Sequence, residues 1–188
     1  MEQISVRKWV GGIAVTAMVI ALLMAVVVDL GPWRARVLTS DGVALLSEGR
    51  YAPAARALAR AVALAPDDAR AHFQLGLAYD GLGEHAAALG HVADAARLAP
   101  RRARYEIGLA GLLLEAGRTE EALPHLRVAL SLEPRAADLR LLMAEALRRT
   151  GDRAGMSREY RAAMRLAGAT ALGMLAREQL HLAEVGDR

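Results

Sequence analysis

At 188 residues and a formal charge of +3, the chain is long enough for one modest domain plus an appendage. It has no cysteine, which excludes disulfides, thiolate metal sites, cysteine nucleophiles and covalent haem attachment. Apart from Lys8 every basic residue is arginine, dispersed among Asp and Glu, so the concentrated basic face of a nucleic-acid binder is missing and no nucleic-acid partner is expected.

Much of the apolar content is alanine, and there is a single Phe. Alanine gives up no side-chain entropy on entering a helix, so this composition favours helices packed closely through small side chains. Few Val or Thr runs occur beyond the first thirty residues, which argues against strands. The expected fold class is all-α.

In chain order, a short basic leader (1–8) comes first. The run WVGGIAVTAMVIALLMAVVV, residues 9–28, carries no charged side chain. As a helix it would rise about 30 Å, the hydrocarbon thickness of a bilayer. Arg7 and Lys8 precede it, and Trp9 and Trp33 stand near its two ends, where indole rings favour the water–lipid boundary. A cleaved signal peptide has a shorter apolar region and a small-x-small site; this run is longer and ends Val-Val-Val-Asp. The reading is a retained transmembrane signal-anchor over 9–30. Arg34 and Arg36 after the span nearly balance the leader, so charge alone barely orients it. The short leader favours the large domain outside, and the Ala/Arg-rich, Lys-poor composition suggests a bacterial source. The expected location is therefore a bacterial inner membrane, single-pass, with the domain in the periplasm; the alternative is the cytoplasmic side.

From Trp33 onward the chain repeats. Pro66, Pro100 and Pro134 are 34 residues apart, with Gly168 in the next slot. Gly49, Gly83, Gly117 and Gly151 keep the same period, and so do Ala61, Ala95, Ala129 and Ala163. Each period holds two amphipathic segments, with apolar residues three and four apart. The glycines punctuate the turn inside each pair. The prolines cannot continue a helix and so begin the next unit. One such hairpin cannot bury its apolar face alone, so the hairpins must stack and the last must be covered. Residues 170–184 suit that covering role: Leu172, Leu175, Ala176, Leu180 and Ala183 share one helical face, and Arg177, Glu178, His181 and Glu184 the other. Only Gly31-Pro32 separates the apolar run from the first repeat helix, a reach of at most about 7 Å. A solenoid so attached is held against the membrane.

These residues resemble the tetratricopeptide repeat (TPR) family, whose 34-residue unit reads W-x2-L-G-x2-Y, then A-x3-F, then P. The second unit, 69–102, matches best, with His72 in the Trp slot, then Leu75-Gly76, Tyr79, Ala88, Val92, Ala95 and Pro100. The first, 35–68, supplies Gly42, Leu45, Ala54, Leu58, Ala61 and Pro66, with Asp41 where Leu is usual. The third, 103–136, supplies Leu109-Ala110, Leu113, Ala122, Leu126, Ala129 and Pro134. The fourth, 137–170, supplies Met143-Ala144, Leu147, Met156, Tyr160 and Ala163, and closes on Gly168. The resemblance implies a right-handed α-solenoid of four helix hairpins over 33–188. It also implies a concave groove, lined by the first helix of each unit, that receives a partner's peptide or helix.

Carried over slot by slot, the groove reads Arg36, Thr39, Val43 and Leu46 in unit one, and Arg70, Phe73, Leu77 and Asp80 in unit two. Unit three contributes Arg104, Ile107, Gly111 and Leu114, and unit four contributes Asp138, Leu141, Glu145 and Arg148. Phe73 reads equally well as an apolar anchor for a partner or as one more contact between helices. The slots of the family's carboxylate clamp hold Thr39, Val43, Gln74, Arg104 and Gly108; only Arg104 fits, so a chaperone-tail adaptor is not expected. A second cluster, Arg148, Arg149, Arg153, Arg158, Arg161 and Arg165, reads first as a solvated face among Glu145, Asp152 and Glu159. Its alternative is a surface for acidic partners or anionic lipid.

No catalytic constellation appears. His72, His85, His91, His125 and His181 show no HExxH or other metal-ligand spacing, and His72 falls on a packing slot. Ser131 and Ser157 sit on no strand–turn–helix elbow, and the glycines are explained by their period. No catalytic residue, metal, cofactor or small-molecule substrate is expected. The expected function is a membrane-anchored scaffold or adaptor that binds other proteins, as an assembly factor or accessory subunit of a membrane or envelope complex. The alternative is a lipid- or envelope-associated module that uses the Arg-rich face.

Overall fold

The computed structural model describes residues 16–21 and 31–185. The expected span over 9–30 therefore lies outside the described residues except for 16–21, which are helical and exposed. Among the described residues no helix is long and apolar enough to cross a membrane.

The chain from Gly31 onward is a succession of helices: α1 (Gly31–Ser47), α2 (Tyr51–Leu64), α3 (Ala69–Gly81), α4 (His85–Leu98), α5 (Ala103–Glu115), α6 (Thr119–Leu132), α7 (Ala137–Arg149), α8 (Arg153–Ala167) and α9 (Ala171–Val185). The described residues contain no strand. Each odd-numbered helix up to α7 pairs with the helix that follows it, and each pair packs on the next. The first helices of units one and two also touch one another, and α9 lies on α8 and reaches α7. This is the stacked-hairpin architecture expected from the period.

The turns explain why the period is legible. Gly49, Gly83, Gly117 and Gly151 have φ of 70°, 76°, 73° and 80°, the left-handed region that ends a helix cheaply only at glycine. The amide after each glycine donates back to a carbonyl five residues earlier: Arg50 to Leu45 at 2.9 Å, Glu84 to Tyr79 at 2.9 Å, Arg118 to Leu113 at 2.8 Å and Asp152 to Leu147 at 2.9 Å. Those bonds satisfy carbonyls that would otherwise be orphaned at the helix end. Asp68 then starts α3 by accepting from the amides of Arg70 at 2.9 Å and Ala71 at 3.2 Å.

Packing inside each hairpin follows one slot pair. A Cβ placed on Gly42 would fall 2.5 Å from Leu58 Cγ, and one on Gly76 would fall 2.5 Å from Val92 Cγ2. Units three and four hold fully buried Ala110 and Ala144 in that slot, facing the Leu126 and Tyr160 positions of the same register. Larger residues there would force the helices apart. The buried apolar residues fall into two clusters. One runs through units two to four as far as Leu180 on α9; the smaller consists of Ala54, Ala55, Leu58, Leu75 and Ala78 and joins units one and two.

Two expectations need correction. Gly31 and Pro32 are no linker: they form the first turn of α1, where proline's missing amide costs nothing. On α9 the covering face is Ala176 and Leu180, with Leu172 and Ala183 half-buried, whereas Leu175 is exposed at 45 % beside Met174 and Leu182. Leu175 lies one turn-fraction too far round to reach α8, so the cap keeps an apolar outer side.

Candidate functional site

The groove slots lie on α1, α3, α5 and α7, and burial sorts them. Arg36, Arg70, Arg104 and Arg148 are exposed, as are Leu77 and Asp138. Val43, Leu46, Asp80, Ile107, Gly111, Leu141 and Glu145 are half-buried. Thr39, Phe73 and Leu114 are buried, and this corrects any reading of them as open contact points.

Phe73 is taken up by the next repeat. Its ring lies 5.0 Å from that of Tyr105, and it occupies the space a Cβ on Gly108 would need, 2.6 Å from Cε2. The Arg104 guanidinium covers its remaining face at 4.8 Å. Phe73 therefore docks unit two onto unit three. Thr39 donates its hydroxyl to the Ala35 carbonyl at 2.9 Å, and Gln74 is also buried, so these two clamp slots are closed as well as chemically wrong.

Arg36, Arg70 and Arg104 occupy the same slot of three successive units. None of the three takes part in an ion pair among the described residues. Together they make a row of uncompensated cations along the first-helix face, flanked by the partly exposed Leu77, Ile107 and Leu141.

The C-terminal arginine cluster differs. Glu145 receives Arg148 in a two-pronged pair at 2.7 and 2.8 Å, and Arg149 at 3.0 Å. The Arg148 bonds hold the Glu145 carboxyl below its ordinary range, against partial burial. Arg149 also donates to the Leu114 carbonyl at 3.1 Å. Asp152 is occupied in capping α8, accepting from the Gly155 amide at 2.8 Å, and Glu159 is paired with Arg140 at 2.7 Å. The carboxylates interspersed with this cluster thus serve local structure.

A third arrangement was not read from the sequence. In units two to four the Trp slot and a slot 19 residues later form a polar bridge across the hairpin. These bridges are His72–His91 at 3.3 Å between Nδ1 atoms, Glu106–His125 at 2.8 Å and Arg140–Glu159 at 2.7 Å. His72, Glu106 and Arg140 are 34 residues apart, as are their partners, so reading both columns together would have found the signal. In unit two the bridge is joined by Asp94, whose Oδ2 lies 3.8 Å from His72 Nδ1. Metal-ligand spacing along one helix does not register a set that a hairpin assembles from two. One ligand atom each from His72, His91 and Asp94 lie within 4.8 Å of one another. Burial and the neighbouring His72 hold His91 below the ordinary histidine range, while a hydrogen bond from Arg97 is the chief cause lowering Asp94.

Family comparison agrees with the geometry. A TPR repeat signature matches residues 42–83, and tetratricopeptide repeat signatures match 69–101 and 113–155. The chain is a tetratricopeptide repeat protein. Its TPR array is similar to the solved structure of MamA, residues 41 to the end, from Desulfovibrio magneticus RS-1. That match has a TM-score of 0.74 at 19% identity, covering 82% of this chain and 85% of that one. A crystal structure of MamA matches at 0.68 and 21% identity, over 74% and 82%. MamA AMB-1 matches at 0.65 and 24% identity, over 75% and 78%. At these identities the likeness is one of fold. Among curated proteins none matches the TPR chain significantly in sequence.

Proposed function

We propose that this TPR protein is a non-enzymatic scaffold. It holds a segment of another protein along the first-helix face, beside a membrane to which residues 9–30 anchor it. The observation that carries the reading is the row Arg36, Arg70 and Arg104, exposed and, among the described residues, without ion pairs, set beside Ile107 and Leu141. Cations left uncompensated in register favour a partner that brings carboxylates at matching intervals, with apolar side chains between them. The Arg-rich C-terminal face supports a lipid-binding alternative less well, because Glu145 already engages Arg148 and Arg149.

The test is a crosslinked pull-down from solubilised membranes, quantified for the native chain and for the triple variant Arg36→Glu, Arg70→Glu, Arg104→Glu. Rim charge pairs contribute about 0.2–1 kcal/mol each, so the triple change should weaken a captured partner by roughly 3- to 150-fold at unchanged helicity. Arg158→Glu with Arg165→Glu should leave capture intact. Equal capture by the triple variant would remove the groove from the reading.

The anchor is supported by the uncharged run in the sequence and by the end of the solenoid nearest to it. There Trp33, Val37 and Leu64 are exposed at 61 %, 39 % and 42 %. With Leu38 and Ala63 they line a cleft of about 440 Å³ between α1 and α2, rimmed by Arg34 and Arg60. Exposed indole and aliphatic groups beside arginine suit the interfacial layer of a bilayer. We assign the bacterial inner membrane, with the repeats on the periplasmic side and the role of an assembly factor or accessory subunit. The full chain should stay in the membrane pellet through an alkaline wash, and removal of residues 1–30 should release it. A compartment-specific reporter fused after Arg188 reads the side. Release of the full chain by the wash would overturn the anchor.

A further inference from the structure

The cross-hairpin bridge of unit two differs in kind from the other two. Glu106–His125 and Arg140–Glu159 each set a carboxylate against a basic side chain. His72 and His91 cannot compensate each other in that way. His72 Nε2 lies 3.0 Å from the carbonyl oxygen of Pro66, which only accepts. The neutral ring therefore carries its proton on Nε2 and turns the bare Nδ1 lone pair toward His91 and Asp94.

Each member of the trio is also held from behind. His72 is fixed by the Pro66 carbonyl, and the His91 ring lies flat on Tyr79, with centroids 5.6 Å apart and planes 7° apart. Asp94 has its Oδ1 bound by Arg97 at 2.8 Å, which leaves Oδ2 facing His72. Outer contacts of this sort orient the side chains that hold metal ions. His91 and Asp94 are three residues apart on α4 and so share a face. Two nitrogens each bound at about 2.05 Å to a tetrahedral zinc stand about 3.3 Å apart. The two Nδ1 atoms already have a separation of 3.3 Å. His72 is buried, but the Asp94 side chain is 40% exposed and provides a way in.

We propose that His72, His91 and Asp94 bind a divalent transition-metal ion of the zinc class between the two helices of the second repeat. The set is two imidazole nitrogens and one carboxylate oxygen, with a fourth position open to water. Imidazole with carboxylate and no thiolate suits zinc, nickel or copper over magnesium or calcium. The bound ion ties α3 to α4 where units three and four use a carboxylate bonded to a basic side chain. The competing arrangement is a hydrogen bond between the two histidines, donated by His91 Nδ1; it predicts no metal affinity.

The experiment uses the full chain in mild detergent, stripped with a chelator and titrated with zinc chloride by calorimetry. The expected result is one zinc per chain and a rise in the melting temperature. His91→Ala and Asp94→Asn, both at partly exposed positions, should each weaken binding by at least about tenfold. His85→Ala with His181→Ala, at exposed histidines outside the trio, should leave it unchanged. Cobalt in place of zinc should give the visible absorption of a four-coordinate ion, abolished by His91→Ala. Absence of zinc binding, or binding equal in the native chain and the His91→Ala variant, would overturn the assignment. The latter result would place any captured ion on surface histidines.

Discussion

Gly76→Leu should destabilise the chain by about 3 kcal/mol, the upper end for forcing extra volume into a packed core. Gly76 sits mid-helix on α3, where propensity alone favours almost any other residue. Even a Cβ there would stand 2.5 Å from Val92 Cγ2, 3.1 Å from the Ala88 carbonyl oxygen and 3.3 Å from the Val92 amide nitrogen. The last two are backbone atoms and cannot step aside by changing rotamer. Gly42 is the milder case, because its added Cβ would meet only Leu58 side-chain atoms, the nearest at 2.5 Å. Gly90, on the outer side of α4, has nothing within 4 Å of an added Cβ. Gly90→Ala should therefore have the opposite sign and stabilise by about 0.5–1 kcal/mol. Thermal melts followed by circular dichroism separate these outcomes, since 1 kcal/mol moves the midpoint by roughly 2–4 °C at this size. If Gly76→Leu melts with the native chain, close packing of α3 on α4 is not what the glycine serves.

Leu126→Ala should cost about 2–5 kcal/mol. Leu126 has no exposed surface and lies in the cluster that joins units two to four. Truncating it removes three carbons' worth of burial and leaves a cavity that the rest of the cluster can fill only by moving whole helices. Val128, two residues on along α6, is 40 % exposed, and Val128→Ala should stay within about 0.5 kcal/mol. Urea melts of the two variants give the comparison directly: a drop in midpoint for Leu126→Ala, with Val128→Ala close to the native curve. Similar midpoints for both would mean that α6 does not bear on the core as the packing indicates.

How far these features can be read without coordinates depends on the range of the interaction that fixes them. The hairpin glycines are local: a left-handed φ at Gly83 is demanded by the turn itself, so the residue type reports the geometry. The Gly76 and Val92 slots are legible for a related reason, since the period carries both halves of the contact. Phe73 was legible only as a choice between two roles. Whether it faces a partner or Tyr105 depends on how unit three leans on unit two, and Gly108, the residue that makes room for it, lies 35 residues away. Leu175 shows the same limit at the chain's end, because amphipathicity marks a stripe on α9 but not the angle at which α8 receives it. The His72, His91 and Asp94 trio was missed because its members sit on two helices, and motif spacing is a one-helix measure.

The two apolar clusters bear on how the molecule answers force. The first hairpin is fastened mainly by alanines, Ala54, Ala55 and Ala78, with Leu58 and Leu75, while the rest of the stack shares a continuous interior. Tyr79 packs against both clusters, and its ring also backs His91. Traction on the N-terminus would be met first where unit one seats on unit two, a junction made by both α2 and α1 against α3. Unit one nevertheless packs on a single neighbouring repeat, so it has one interface to lose where units two and three each have two.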